Sequence, residues 1–224
     1  MIDAPRLVCF DVDSTLLAVE SLDFVLTRKL GPAAAEKIEA LTSGGMNGTL
    51  SFRQSLMARL DLTSLKRSDI AAAAVELRQH LTPGMAQLLG DLRQRGDQVR
   101  AVSGGFSDVL IPALRDLGFV REEIFANRLV WEGETVAGID TGNPLSDNGG
   151  KPRILAGLRS NTQYSAVWMV GDGVTDLETL TAGAAEPNAL LTIGRGSGSL
   201  PRIWRHCPPR RCRGTCPGLC RHTG

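Results

Sequence analysis

Two acids spaced two apart follow a short apolar run in Leu7-Val8-Cys9-Phe10-Asp11-Val12-Asp13-Ser14-Thr15. Side chains alternate faces along an extended chain, so this spacing predicts that Asp11 and Asp13 point one way and Val12 the other. Two later apolar runs also end in polar motifs, Ser103-Gly104-Gly105 and Gly171-Asp172-Gly173, the second followed by Asp176. Four carboxylates at one place repel by roughly 4 kcal/mol per unit-charge pair at 4 Å near a protein surface. A hard dication with oxygen ligands offsets this, and Mg²⁺, which keeps waters and bridges phosphate oxygens, is the natural candidate. Ser103-Gly104-Gly105 at a strand-to-helix turn offers a hydroxyl and backbone N–H groups to an anion. Lys151, after Gly149-Gly150, brings a point charge to the same anion. Such a set suits phosphoryl transfer, where positioning and charge neutralisation do most of the catalytic work. One acid can then serve as nucleophile and its neighbour as general acid and base.

These residues can meet only if the runs that precede them are neighbouring strands. The lead-in to Asp11, Gln98–Val102 and Ala166–Val170 are too short for helices and read as buried strands of an α/β fold. In a parallel sheet their carboxyl ends share one edge, the place where open α/β sheets hold ligands. A fourth strand is expected at Ala189–Ile193, and Phe125–Ile139 reads as a hairpin around Glu132-Gly133-Glu134. Between the first two strands, about Glu20 to His80 reads as several helices, more than a crossover needs. One is expected over Ala33–Leu41 and broken by Gly44, Gly45 and Gly48. Others are expected over Ser51–Leu60 and over Ser68–Leu77 with Ser68 as N-cap. After them, Thr82-Pro83-Gly84 is expected to open a helix with Thr82 as N-cap. The fold class is therefore α/β, a Rossmann-like parallel sheet core with a small helical cap inserted after the first strand. The expected division is a core of residues 1–18 and 81–196, a cap of 19–80, and a tail of 197–224.

Taken singly, Lys151 reads as a solvated lysine and Asp176 as a favourable acid in a helix's first turn. Their order changes the reading. Asp11-Val12-Asp13-Ser14-Thr15, Ser103-Gly104-Gly105-Phe106, Gly149-Gly150-Lys151 and Gly171-Asp172-Gly173-Val174-Thr175-Asp176 resemble the ordered motifs of the haloacid dehalogenase (HAD) superfamily, from about Leu7 to Ala185. Within it the chain resembles the branch that hydrolyses O-phosphoserine, the last step of L-serine biosynthesis. The resemblance implies that Asp11 attacks phosphorus to form an aspartyl-phosphate and that Asp13 protonates the leaving oxygen, then activates water. It implies Mg²⁺ held by Asp11, the backbone carbonyl of Asp13 and Asp172, with Asp176 ligating through water or orienting the shell. Ser103, Gly104 and Lys151 would bind phosphate. In the cap, Glu20 matches the acid that receives the substrate ammonium and Arg59 the arginine that binds its carboxylate. Met46 and Phe52 match pocket-lining cap residues, and Thr175 a residue near the substrate. Asn47 stands where glycine is expected. The alternatives are another small-molecule phosphatase or phosphotransferase of the superfamily, or an inactive remnant damaged at its C-terminus.

The apolar and charged fractions, 42% and 22%, are those of a soluble globular protein. No apolar run approaches the ~20 residues of a membrane span, and no signal peptide is read before the first strand, so the expected location is the cytoplasm. No nucleic-acid or membrane partner is expected, and a homodimer is compatible with the sequence. The formal charge of +1 is uneven, because residues 195–224 hold seven Arg and no acid, leaving 18 basic and 24 acidic residues before them, a net of −6. Four of the five cysteines, Cys207, Cys212, Cys216 and Cys220, also fall in this Pro-, Arg- and Gly-rich end. Such composition does not build a core. It fits a reading-frame change or disorder better than a metal site, since the cysteine spacing lacks the paired C-x2-C pattern. It also fits better than a nucleic-acid tail, since Trp204 is its one aromatic residue. The phosphate-contacting arginine that the family carries after its glycine-rich turn has no assigned counterpart in this sequence, Arg195 and Arg202 being the candidates.

Overall fold

The computed structural model describes residues 4–181, 188–194 and 202–206. Strand β1 (Arg6–Phe10) lies inside a six-stranded sheet, parallel to β2 (Gln98–Phe106) on one side and β6 (Ala166–Gly171) on the other. Val8 pairs with Val99 and with Trp168. Strand β3 (Ile124–Asn127) runs parallel outside β2, and β7 (Asn188–Gly194) parallel outside β6. Both faces of β1 are covered. Val8 and Phe10 join the larger apolar cluster with Leu89 and Leu110, while Leu7 and Cys9 pack with Leu155, Val167 and Met169. A strand covered on both faces must be apolar throughout, which is why this run does not alternate.

Four helices, α1 (Ser21–Leu30), α2 (Ala35–Met46), α3 (Phe52–Leu60) and α4 (Arg67–Leu77), stand between β1 and α5 (Met85–Gln94). The chain enters and leaves this insertion through a narrow antiparallel neck. Leu17 bridges Leu81, the N–H of Ala18 donates to His80 O at 2.8 Å, and that of Thr82 to Leu16 O at 2.9 Å. The core continues with α6 (Ser107–Asp116), the hairpin β4 (Leu129–Glu132) and β5 (Thr135–Ile139), then α7 (Gly150–Asn161) and α8 (Val174–Thr181). The hairpin braces the cap: Val136 N–H donates to Leu65 O and Arg67 N–H to Glu134 O, both at 2.9 Å. No helix among the described residues is long and apolar enough to cross a membrane.

Several local expectations are corrected. Helix α2 runs through Gly44 and Gly45, because α3 packs so close that a Cβ on Gly45 would lie 2.7 Å from Ser55 Cβ. Helix α4 begins at Arg67 with Lys66 as its cap, two residues before the expected one, and Asp69 accepts from the Lys66 N–H at 2.9 Å. Helix α5 is entered through Gly84 at φ +84°, a left-handed conformation that glycine adopts without strain, and Thr82 is not its cap. Residues 124–127 leave the predicted hairpin to become sheet strand β3. Strand β8 (Arg202–His206), inside the stretch read as a tail, pairs antiparallel with β7, Thr192 opposite Trp204. The four terminal cysteines and Arg195 lie outside the described residues.

Candidate active site

The last rung of β1 is the Asp11 N–H donating to Val170 O at 2.8 Å, after which the chain turns sharply. The turn closes when Leu17 N–H donates to Val12 O at 2.8 Å, and it forces Ser14 to φ +56°. The two acids thus share a side because of this turn, since the strand has ended before either. Both line a cavity of about 460 Å³ between the sheet edge and the cap. Asp13 accepts from the Ser21 N–H at 2.6 Å and from the Ser103 hydroxyl at 3.2 Å. Burial raises its pKa above the ordinary carboxylate value, and hydrogen bonds from Ser21 and then Ser103 pull it back.

Lys151 enters from the first turn of α7, buried, with Nζ 2.9 Å from Asp11 Oδ2 and 2.7 Å from Asp176 Oδ1. Burial works against its charge, but the two carboxylates outweigh that and hold the ammonium charged. Asp176 is wholly buried and also accepts from the Gly173 N–H at 3.0 Å. Helix α8 begins at Val174, so the loop, and not a shared helix face, brings Asp172 to the same place. Thr15 Oγ1 donates to Asp172 at 3.3 Å. Oxygens of Asp11, Asp172 and Asp176 lie within 4.8 Å of one another. Asp11 is pushed well above the ordinary carboxylate range, by burial first and by Asp176 besides, even with Lys151 beside it. Among the described residues, one lysine faces Asp11 and Asp176 together, which leaves these carboxylates short of positive charge. The all-oxygen donor set therefore fits a hard divalent cation.

The cap supplies the opposite wall. Glu20 accepts from the Ser14 hydroxyl at 2.6 Å. Burial and then the neighbouring Asp13 push it up to about 7. Arg59 is buried, with Nη1 donating to Asp23 at 2.8 Å, and Asp23 also takes the Thr42 hydroxyl. The Phe52 ring sits directly against Gly104, where any Cβ would collide with it. Phe52 N–H donates to Asn148 at 2.9 Å and Arg53 pairs with Asp147 at 3.2 Å, joining cap to core. Met46 is 51% exposed at the cavity mouth.

Of the residues singled out in the sequence, Asp11, Asp13, Glu20, Met46, Phe52, Arg59, Gly104, Lys151, Asp172 and Thr175 line the one cavity, as does Asn47. Ser103 and Asp176 lie behind that lining, each bonded to a residue that faces it. Ser103-Gly104-Gly105 lies within β2, where the register shifts between Val102 and Phe106, and not in a strand-to-helix turn. Asp23 was missed, although it stands in the first turn of α1, three residues after Glu20, which precedes that helix.

A family profile described as haloacid dehalogenase-like hydrolase matches residues 8–181. The chain belongs to this family. It is 36% identical over 173 residues to phosphoserine phosphatase of Rattus norvegicus, covering 76% of this chain and 75% of that one. Among solved structures, a phosphoserine phosphohydrolase-like protein from Francisella tularensis superposes with a TM-score of 0.72 at 32% identity, covering 82% and 85% of the two chains. A phospho-aspartyl intermediate analogue of phosphoserine phosphatase superposes with a TM-score of 0.69 at 28% identity, covering 81% and 84%.

Proposed function

We propose that this protein is a phosphoserine phosphatase, hydrolysing O-phosphoserine to serine and phosphate. The observation that carries the reading is one cavity with two chemically distinct walls. The sheet edge presents Asp11, Asp13 and Lys151, and the cap presents Glu20 and Arg59. A phosphate monoester of a zwitterion has a group for each. Its phosphate meets Lys151 and the Gly104 backbone, its ammonium Glu20, and its carboxylate Arg59. Ser103 serves the phosphate end through Asp13, while Phe52, Met46 and Thr175 shape the space between.

Asp11 attacks phosphorus, forming an aspartyl-phosphate as the P–O bond to the serine oxygen breaks. Asp13 gives its proton to that oxygen, then takes one from the water that attacks the aspartyl-phosphate, releasing phosphate and restoring Asp11. The raised pKa of Asp13 suits a group that must first hold a proton. Mg²⁺, which the carboxylates of Asp11 and Asp172 and the backbone carbonyl of Asp13 would hold with Asp176 behind them, supplies neutralisation of the phosphoryl oxygens when bound. Lys151 holds Asp11 in place and screens its charge from an approaching phosphate. Burial of the cavity under Phe52 excludes competing water.

The division into a core of 1–18 and 81–196 and a cap of 19–80 is part of the proposal, supported by the neck at Leu17 and Leu81. So are a cytoplasmic location and a homodimer as the compatible assembly. The test is phosphate release from phosphoserine with Mg²⁺ and with a chelator, for the wild-type chain and Asp11→Asn. Turnover that needs the metal and vanishes in Asp11→Asn is expected. Undiminished turnover in that variant would remove Asp11 as nucleophile.

A further inference from the structure

Asn127 ends β3 at the sheet edge, has no solvent exposure, and does not itself line the cavity. Its Nδ2 donates to two main-chain carbonyls, Gly104 at 2.8 Å and Leu145 at 2.9 Å. The amide orientation follows from these partners, because a flipped side chain would set its oxygen against two carbonyl oxygens. Its Oδ1 finds no partner among the described residues. A buried amide kept at the cost of an unpaired oxygen calls for an explanation beyond packing.

The two carbonyls belong to the segments that frame the phosphate end of the site. One lies in Ser103-Gly104-Gly105, the other in the loop that leads to Lys151. The peptide unit between Gly104 and Gly105 is held at both ends, its carbonyl by Asn127 and its N–H by Ser103 Oγ at 2.8 Å. Since Ser103 Oγ accepts there, its own hydrogen is committed to Asp13 Oδ2, 3.2 Å away. Released from Asn127, this peptide can rotate, and the Ser103 hydroxyl loses the contact that aims it.

We propose that Asn127 is a positioning residue for the acid–base carboxylate, acting on Asp13 through the Gly104–Gly105 peptide and the Ser103 hydroxyl. The inference rests on the reading of Asp13 as the proton carrier. A simple brace would affect stability alone, whereas a positioning residue lowers kcat with little change in KM and couples to Ser103.

The test is a double-mutant cycle in the Mg²⁺-loaded full chain with phosphoserine. Asn127→Ala is expected to lower kcat roughly tenfold to a hundredfold, part of the gain general acid–base catalysis supplies, with KM within about twofold. In a Ser103→Ala background the same change is expected to cost little more, because the path it acts through is already cut. Losses that multiply, or an unchanged kcat with only a lower melting temperature, would overturn the proposal. Asn127→Ser keeps one donor, is expected to fall between, and carries the cycle should Asn127→Ala fail to fold. A wild-type chain that releases no phosphate from phosphoserine would fail the functional reading itself, and this inference with it. Wild-type turnover with multiplying losses fails this inference alone.

Discussion

The substrate role proposed for Glu20 comes at a cost to the fold. Its carboxylate is buried beside Asp13 and Asp23, and burial foremost moves its titration from 4.5 to about 7. At about 1.4 kcal/mol per pH unit, that interval makes the ionised group about 3 kcal/mol less favourable in the folded protein than in the unfolded chain. The folded state holds the proton more tightly. Its advantage is therefore complete below pH 4.5, shrinks as the pH rises toward 7, and is gone above it. Glu20→Gln keeps an oxygen to accept the Ser14 hydroxyl but never ionises. It is expected to stabilise the metal-free protein by about 2–3 kcal/mol at pH 8 and by almost nothing at pH 4.5. Urea unfolding at the two pH values, with chelator present, reads this directly. The same variant should lose tenfold or more in kcat/KM for phosphoserine, since a charge-assisted bond to the ammonium is weakened. Equal stability effects at both pH values would refute the burial argument.

Three further substitutions probe the two walls. Arg59→Ala is expected to raise KM for phosphoserine by roughly tenfold to a hundredfold, as loss of a charged hydrogen bond predicts, and to leave KM for p-nitrophenyl phosphate nearly unchanged. Equal effects on both substrates would argue against recognition of an amino acid. Gly104→Ala must push the Phe52 ring aside, so it should cost about 1–3 kcal/mol of stability, and Phe52→Leu in the same chain should recover much of the loss. Lys151→Met leaves Asp11 and Asp176 buried without their shared cation, and a loss of about 3–5 kcal/mol at neutral pH is expected from urea unfolding in chelator. An unchanged midpoint would show that the lysine balances nothing.

Strands β1, β2 and β6, which carry Asp11, Ser103 and Asp172 at or near their carboxyl ends, were legible because an apolar run covered on both faces leaves little else for five or six residues to be. Adjacent parallel placement then brought their ends together. The means of placement were less legible. Asp11 and Asp13 share a side in a turn that begins beyond the end of β1 at Phe10, which alternation along a strand does not describe. Helix α2 passes through Gly44 and Gly45 because close contact with α3 outweighs glycine's poor helix propensity, and only the neighbouring helix reveals that. Asn127 left no mark in the sequence, since a single asparagine at the end of a four-residue strand looks like a turn residue. Arg59 could be assigned to a substrate carboxylate by resemblance, but its present partner Asp23 emerged only when α1 and α3 were packed together. Strand β8 was unexpected because an Arg-rich segment lacks the usual strand composition, while the open edge of β7 provides a template for pairing.

The central claim is that Asp11 carries the phosphoryl group. Mixing the Mg²⁺-loaded chain with phosphoserine, quenching in acid within the first turnover and digesting the protein tests it by peptide mass. The account predicts one phosphoryl group, labile to hydroxylamine, on the peptide that contains Asp11, and none in Asp11→Asn. A phosphoryl group on any other residue, or single-turnover hydrolysis with no covalent phosphate at any time, would contradict it.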